Sequence, residues 1–302
     1  MSEKLSYLAT PSATIEVLEA HDLSTKYSLG QNFLVNDEVV RRTVELAELT
    51  SEDDVLEVGP GIGTLTVALL KCAGRVASVE RDPDLAPVLA DTTAPWAERF
   101  TLVAKDALDL SPADLPFAPD KLVSNLPYSV AATVVLDAFE RFEGLQSATV
   151  MVQKEVADRM AARPGTKNYG AYTVKLGLYA RMSGRFSVAP GNFLPAPRVE
   201  SAMVRLDRRP ARDDAGRPLD AATIASACTM ADAAFASRRK TIANSCKTYF
   251  ATQGEEGQAL AARLPQLFEQ AGIDPRRRGE TLDAAEFVRL AQAHRALVDE
   301  GL

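Results

Sequence analysis

The stretch VSNLPYSVAA, Val123 to Ala132, places Asn125, Leu126, Pro127 and Tyr128 directly after a short apolar run. A turn at that point needs an asparagine and a proline; it has no need of the tyrosine. The amide oxygen of Asn125 and a backbone carbonyl beside Pro127 make two acceptors for one exocyclic amine, because proline fixes φ and leaves the carbonyl before it free to point outward. The Tyr128 ring offers a face on which a nucleobase can stack, a contact worth about 1–3 kcal/mol. An adenine amino nitrogen is a poor nucleophile, since its lone pair is delocalised into the ring. Two acceptors that hold its hydrogens favour a pyramidal nitrogen with a directed lone pair. Holding that nitrogen in line with an electrophile supplies most of the catalysis without a strong base. The plain alternative is an Asx-Pro turn.

A second stretch, EVGPGIGTLT, follows an apolar run and opens a helical pattern. Gly59, Gly61 and Gly63 allow a sharp turn and a close approach of backbone to a ligand. A nicotinamide fingerprint wants Gly or Ala three residues after its second glycine, where this chain has Thr64. That mismatch counts against a dehydrogenase. Acids follow at the ends of the next runs. Glu80 could accept both hydroxyls of a ribose, Asp106 could take an adenine amino group, and Glu57, just before the loop, could reach a ligand's ammonium. Singly, each is more often a solvated acid. Together they form an acidic rim at the carboxyl ends of adjacent strands, where ligands bind in such sheets. The glycine loop carries no phosphate-binding lysine. A cationic nucleoside suits this rim better than a triphosphate does, and S-adenosylmethionine, which leaves S-adenosylhomocysteine as product, is such a ligand.

The elements that must position these groups alternate. Asn36–Leu49 reads as a helix, DDVLEVG (53–59) as a buried strand, TLTVALLKC (64–72) as a helix, RVASVERD (75–82) and FTLVAKDAL (100–108) as strands. DKLVSNLPY is a fourth strand, VAATVVLDAF (130–139) a helix, and SATVMVQKEVADRMAA a fifth strand running into a helix. Alternation of this kind predicts an α/β fold with a mostly parallel sheet. From about Tyr172, AYTVKLGLYARMSGRFSVAPGNF and ESAMVRLDRR read as antiparallel strands at the sheet edge. Residues 1–25 read as an irregular arm, 26–208 as the catalytic domain, 208–218 as a polar linker, and 219–302 as a small Ala-rich helical domain.

Composition narrows the classes further. The 302 residues are 46% hydrophobic and 25% charged, ordinary for a large domain plus a smaller one. No apolar run is long enough to span a membrane and no secretory signal is read, so a cytoplasmic location is expected. Two histidines, near the termini, and three scattered cysteines leave no basis for a triad, a disulfide framework or a metal site. The net charge is −7, yet residues 181–250 hold 12 basic and 6 acidic side chains. That segment is either a polyanion-facing surface or a solvated Arg-rich one.

QNFL (31–34), EVGPGIGTLT, VERD, KDALD, NLPY and NFLPAPRVESAMV occur in this order. Together they resemble the ribosomal RNA adenine N6,N6-dimethyltransferases, of the KsgA type that acts on small-subunit RNA. The resemblance spans Tyr27 to Leu206 and continues in FASRRKTIANS and RGETLDAAEF. It implies a class I, Rossmann-like methyltransferase with a seven-stranded, mostly parallel sheet and a helical C-terminal domain. It implies cofactor contacts at Gln31, Asn32, Leu34, Glu57, Gly59, Gly61, Gly63, Glu80, Asp106 and Asn125, and a target adenine sandwiched by Tyr128 and Phe193. Without it, Phe193 reads as a core aromatic. A base in structured RNA must leave its stack to be methylated, which fits an aromatic pocket. Arg198, and Arg238, Arg239 and Lys240 on one predicted helix, are the candidates for RNA phosphate, with PRRRGE (275–280) as an addition. The family's substrate is 16S rRNA in the 30S subunit or its precursor, at two adjacent adenines near the 3′ end, and a monomer without metal is expected. A pI of about 5.1 suggests recognition of a shaped, pre-assembled ribosomal surface. Two other readings stand beside this one: an Erm-type methylase of large-subunit RNA, which commonly has Ile where this chain has Leu126, and a non-catalytic assembly factor that kept the fold.

Overall fold

The computed structural model describes residues 4–25 and 30–300. The start of the resemblance at Tyr27 lies outside them. Two compact units emerge: Met1–Ala157 with Met182–Arg208, and Asp158–Arg181 with Arg209–Leu302. Sequence spacing places the boundary near 208–218. The structure also assigns 158–181 to the second unit, because Tyr169 and Val174 are buried in that unit's apolar cluster.

The first unit begins with α1 (Pro11–Ala20), where an irregular arm is expected. Thr10 caps this helix by accepting from the Ala13 N–H, and Pro11 sits where its missing N–H costs nothing. The Leu5 and Ser6 N–H groups donate to the Asp37 carboxylate. Leu18 shares a buried cluster with Phe33, Ile62, Leu85 and Val88. The short strand β1 (Phe33–Leu34) precedes α2 (Asp37–Ala47), which Asn36 caps and whose Val39, Val40, Thr43, Val44 and Ala47 are buried at helical spacing.

Then come β2 (Asp54–Val58), α3 (Thr64–Cys72), β3 (Arg75–Glu80), α4 (Leu85–Thr92), β4 (Phe100–Ala104), β5 (Lys121–Asn125), α5 (Ala131–Arg141), β6 (Ser147–Gln153) and α6 (Lys154–Met160), all as expected except α4, which was not read from sequence. Next come α7 (Ala171–Gly177), β7 (Ala180–Val188), β8 (Phe193–Leu194) and β9 (Ser201–Arg208). The strand expected from Ala171 is therefore helical for its first seven residues. The run AYTVKLG buries Thr173, Val174 and Leu176, a spacing that serves a short helix as well as a strand.

The main sheet has seven strands in the order β4-β3-β2-β5-β6-β9-β7. The pairs β3–β4, β2–β3, β2–β5 and β5–β6 are parallel, and β6–β9 is antiparallel. Strand order reverses between β2 and β5, and this is where an open α/β sheet forms a crevice. Only Val55–Lys121 and Leu56–Leu122 pair there. Beyond them the Val58 N–H takes the Ser124 hydroxyl at 2.8 Å, in place of a ladder carbonyl. The two strands thus part at their carboxyl ends while the buried Val58 N–H keeps a partner. A two-stranded ladder outside the main sheet, β1 against β8, pairs Leu34 with Phe193. It was not expected from sequence.

In the second unit α7 is joined by α8 (Ala221–Phe235), α9 (Ile242–Phe250), α10 (Gly254–Ala271) and α11 (Ala284–Asp299). Met230, Phe250, Leu267, Phe268, Phe287 and Leu290 fill its core. Asp283 and Glu286 form a capping box that starts α11. Gly279 is buried because a Cβ there would lie 2.7 Å from the Ala234 carbonyl oxygen. The 208–218 linker is an ordered turn, closed by a bridge between Arg212 and Pro218.

Candidate active site

A cleft opens at the carboxyl ends of β2, β3, β4 and β5. Gln31, Asn32, Leu34, Glu57, Gly59, Gly61, Glu80, Asp106, Asn125, Leu126, Pro127 and Tyr128 all line it. Most of these positions meet here because they lie at or just after the ends of parallel strands, while Gln31, Asn32 and Leu34 come from the segment at β1.

The glycine loop adopts the backbone only glycine tolerates easily. Gly59, Gly61 and Gly63 have φ of +71°, +60° and +91°. A Cβ on Gly61 would stand 3.0 Å from the Phe33 ring. Gly63 caps α3 from outside the cleft, and a Cβ there would meet the Thr92 hydroxyl at 2.9 Å. Gly59 nests against Pro127, so the glycine loop and the NLPY turn brace each other.

Glu57 is 1% exposed. Thr66 and Ser78 both donate to its Oε2 at 2.7 Å. Burial pushes its carboxyl up from 4.5 to about 7, and the neighbouring charge of Glu80 adds to the rise while the two hydroxyls oppose it. Glu80 accepts the N–H groups of Arg81 and Asp82 on Oε1, each at 2.9 Å. Burial also raises its carboxyl, against the pull of those backbone donors. Asp106 does not end a strand: β4 stops at Ala104, and Asp106 caps the next 3₁₀ turn by accepting the Leu108 N–H at 3.0 Å. Its Oδ2 takes Arg81 Nη1 at 3.2 Å.

Asn125 is the last residue of β5. Its Nδ2 donates to the Asn32 backbone carbonyl at 3.1 Å. One N–H of the amide is thereby used, and Oδ1 is the atom of the side chain able to accept from an amine. Segment 30–34 is strapped down further by Gln31 Nε2, which donates to buried Asp82 at 2.9 Å. Tyr128 is half-buried and its hydroxyl shares a 2.5 Å hydrogen bond with Ser201. Burial raises that phenol, and the Ser201 bond moderates the rise.

Phe193 does not line the cleft. It is 4% exposed, within the same buried cluster as Leu34 and Met203, the core position that its residue type suggests on its own. Of the RNA candidates, Arg198 is exposed in the loop between β8 and β9. Arg238, Arg239 and Lys240 lie in the turn after α8, not on a helix. Arg238 is exposed but engaged: its guanidinium donates to the Lys167 and Tyr169 carbonyls and pairs with Glu280 at 3.2 Å. Arg239 and Lys240 are exposed. In PRRRGE, Arg276 pairs with Asp274 at 3.0 Å and Arg277 with Glu286.

Sequence reasoning missed Thr66, Ser78, Arg81, Asp82, Lys105 and Ser201. Asp82 and Arg81 stand inside the quoted VERD motif, so adjacency to Glu80 was a usable signal. The hydroxyls carry none, because serines and threonines in strands and helices are commonplace.

A switch-point cleft with a glycine loop after β2, an acid closing β3 and an Asn-Leu-Pro-Tyr turn closing β5 defines a class I methyltransferase. Comparison with known proteins narrows the class. The ribosomal RNA adenine dimethylase family matches residues 22–289. A Rhodococcus opacus protein named ribosomal RNA small subunit methyltransferase A is 42% identical over 291 residues, 95% of each chain. One of the same name from Kineococcus radiotolerans is 43% identical, covering 97% of this chain and 93% of its own. Among solved structures, a Plasmodium falciparum dimethyladenosine transferase shares the fold at TM-score 0.72 and 21% identity, over 87% of this chain and 98% of its own. The 23S rRNA methyltransferase ErmE superposes at TM-score 0.60 and 26% identity, over 87% and 99%. The chain belongs to the ribosomal RNA adenine dimethylase family and is an rRNA adenine methyltransferase.

Proposed function

We propose that this enzyme uses S-adenosylmethionine to dimethylate N6 of two adjacent adenosines near the 3′ end of 16S rRNA. The substrate is the small ribosomal subunit or its precursor, and the enzyme acts as a cytoplasmic monomer. The observation that carries this reading is the orientation of Asn125, whose amide nitrogen is turned to the Asn32 carbonyl, so that its Oδ1 is the acceptor for the target amine.

The cleft suits the cofactor. Its rim is acidic at Glu57, Glu80 and Asp106, and its glycine loop leaves backbone uncovered. No helix of the described residues is long and apolar enough to cross a membrane. Glu80 would take the ribose hydroxyls, Asp106 the adenine amino group, and Glu57 the ammonium end. Gln31, Asn32 and Leu34 would close the cleft from the β1 side. The cofactor supplies a methyl group activated by a sulfonium.

The chain's own residues do the rest. Asn125 Oδ1 and the Leu126 carbonyl accept the two hydrogens of the target amine and hold its nitrogen pyramidal. Pro127 fixes that carbonyl's direction. The Tyr128 ring, held by Ser201, provides the face on which the extruded base stacks. Phe193 as the opposing face requires its ring to leave the core when RNA binds. Arg198, Arg239 and Lys240 are the phosphate contacts, and Arg238 shapes the turn that presents the last two.

The small-subunit reading is favoured over the large-subunit one by relatives at 42–43% identity that carry the small-subunit name. The test is transfer of labelled methyl to unmodified small subunits and, in parallel, to protein-free large-subunit RNA. Label on N6-dimethyladenosine in the small subunit is expected, with Asn125→Ala lowering the rate by roughly 10²–10³-fold. Label only on large-subunit RNA would move the enzyme to the other substrate. Cofactor binding without transfer to either would leave the assembly-factor role.

A further inference from the structure

We propose that Arg81 is a latch on the nucleoside end of the cleft, which must release Asp106 before a ligand's amino group can use that carboxylate. The proposal rests on the reading of Asp106 as the adenine contact.

Asp106 has two oxygens with different fates. Oδ1 is committed to the Leu108 N–H as the cap of a 3₁₀ turn, and that bond fixes the side chain's direction. Oδ2 is held by Arg81 Nη1 at 3.2 Å. Oδ2 is therefore the oxygen free of backbone duty, and Arg81 stands on it. Arg81 also lines the cleft, immediately after the Glu80 that closes β3. Its backbone N–H is anchored on Glu80 at 2.9 Å, so the main chain there is held in place. The side chain is not: it is 52% exposed, with Asp106 at 35%. A half-exposed ion pair between the ends of β3 and β4 can open by rotation of one long side chain. Such a pair is weak, because water screens it.

The chemistry sets up a competition. An exocyclic amine and a guanidinium are both donors, and the oxygen free of backbone duty is the one each would use. The other cation on this wall, Lys105, is engaged by Asp114 at 2.7 Å and so does not contend for Asp106. Arg81 thus keeps Asp106 paired while the cleft is open, and reduces the affinity for a nucleoside by the cost of opening the pair. That cost corresponds to roughly a two- to fivefold change in affinity for an exposed pair. Salt at about 0.5 M, which screens exposed charges within a few ångströms, should erase most of it.

The test is calorimetric binding of S-adenosylhomocysteine, which lacks the sulfonium charge, to the full chain and to Arg81→Leu, Asp106→Asn and the double variant. Each is measured at about 0.05 M and about 0.5 M NaCl. Arg81→Gln serves as a second, polar replacement. The expected result is that both Arg81 variants bind two- to fivefold more tightly at low salt. The gain should fade at high salt and vanish in the Asp106→Asn background, as coupled residues require. Unchanged or weaker binding by both Arg81 variants, with Asp106→Asn still impaired, would overturn the latch alone. Wild-type affinity in Asp106→Asn would overturn the reading of Asp106, and the latch with it. A gain that persists without Asp106 or at high salt would also overturn it, since the pair would not then be its source.

Discussion

Glu57 shows how much a single side chain depends on what surrounds it. In an unfolded chain it is an ordinary carboxyl; in the folded protein burial raises it to about 7. A raised carboxyl holds its proton more tightly when folded. Its contribution to stability is therefore fully present below about pH 4.5 and is lost as pH rises through about 7, by roughly 3 kcal/mol in all. Glu57→Gln keeps an acceptor for Thr66 and Ser78 but cannot ionise. Urea unfolding of the two proteins from pH 5 to 8 should show the wild type losing stability relative to the variant. A constant difference across that range would refute the assignment.

At the scale of elements, the loop between β2 and α3 is where backbone geometry limits substitution most. Gly63 sits at φ +91°, and a Cβ there would meet the Thr92 hydroxyl, which is buried and lacks a partner within the described residues. Gly63→Ala should cost more than about 1 kcal/mol, read as a lower denaturation midpoint. A midpoint equal to wild type would show that the loop can relax at no cost. The loop's outline was legible in EVGPGIGTLT, since three alternating glycines after an apolar run have few other uses. The helix α1 was not. Its ten residues carry no strong apolar stripe; its start is marked by a threonine cap and a proline at the first turn, with Leu5 and Ser6 just before it anchored on the distant Asp37. The short α7 was misread as strand for a related reason: seven residues are too few to separate the two periods.

For the molecule as a whole, the charge distribution is more informative than its sum. The chain is acidic at −7, yet the turn after α8 presents Arg239 and Lys240 to solvent. If these contact rRNA phosphates, Arg239→Glu with Lys240→Glu should weaken subunit binding and reduce the slope of log affinity against log salt by about 2. Filter binding over a range of salt measures this, and S-adenosylhomocysteine affinity should stay at the wild-type level. An unaltered salt slope would exclude both residues from the interface. The same test on Arg238 would be ambiguous, because its guanidinium holds the Lys167 and Tyr169 carbonyls within its own unit.

The parallel strands β2 to β6, the glycine loop, the acids at Glu80 and Asp106, and the NLPY turn are determined by the sequence alone. They rest on local rules: apolar periodicity, caps, and residues with few permitted backbone conformations. Which side chains face one another was decided by the tertiary structure. Asn32 and Asn125 are 93 positions apart and meet only because the segment just before β1 lies against the last residue of β5. Arg81 reaches Asp106 because β3 and β4 run parallel and in register. Phe193 is buried because β8 pairs with β1, and the 158–181 segment joins the helical unit because Tyr169 and Val174 find their apolar partners there. Spacing along a chain specifies its elements; strand register and shared burial specify their neighbours, and these depend on every element at once.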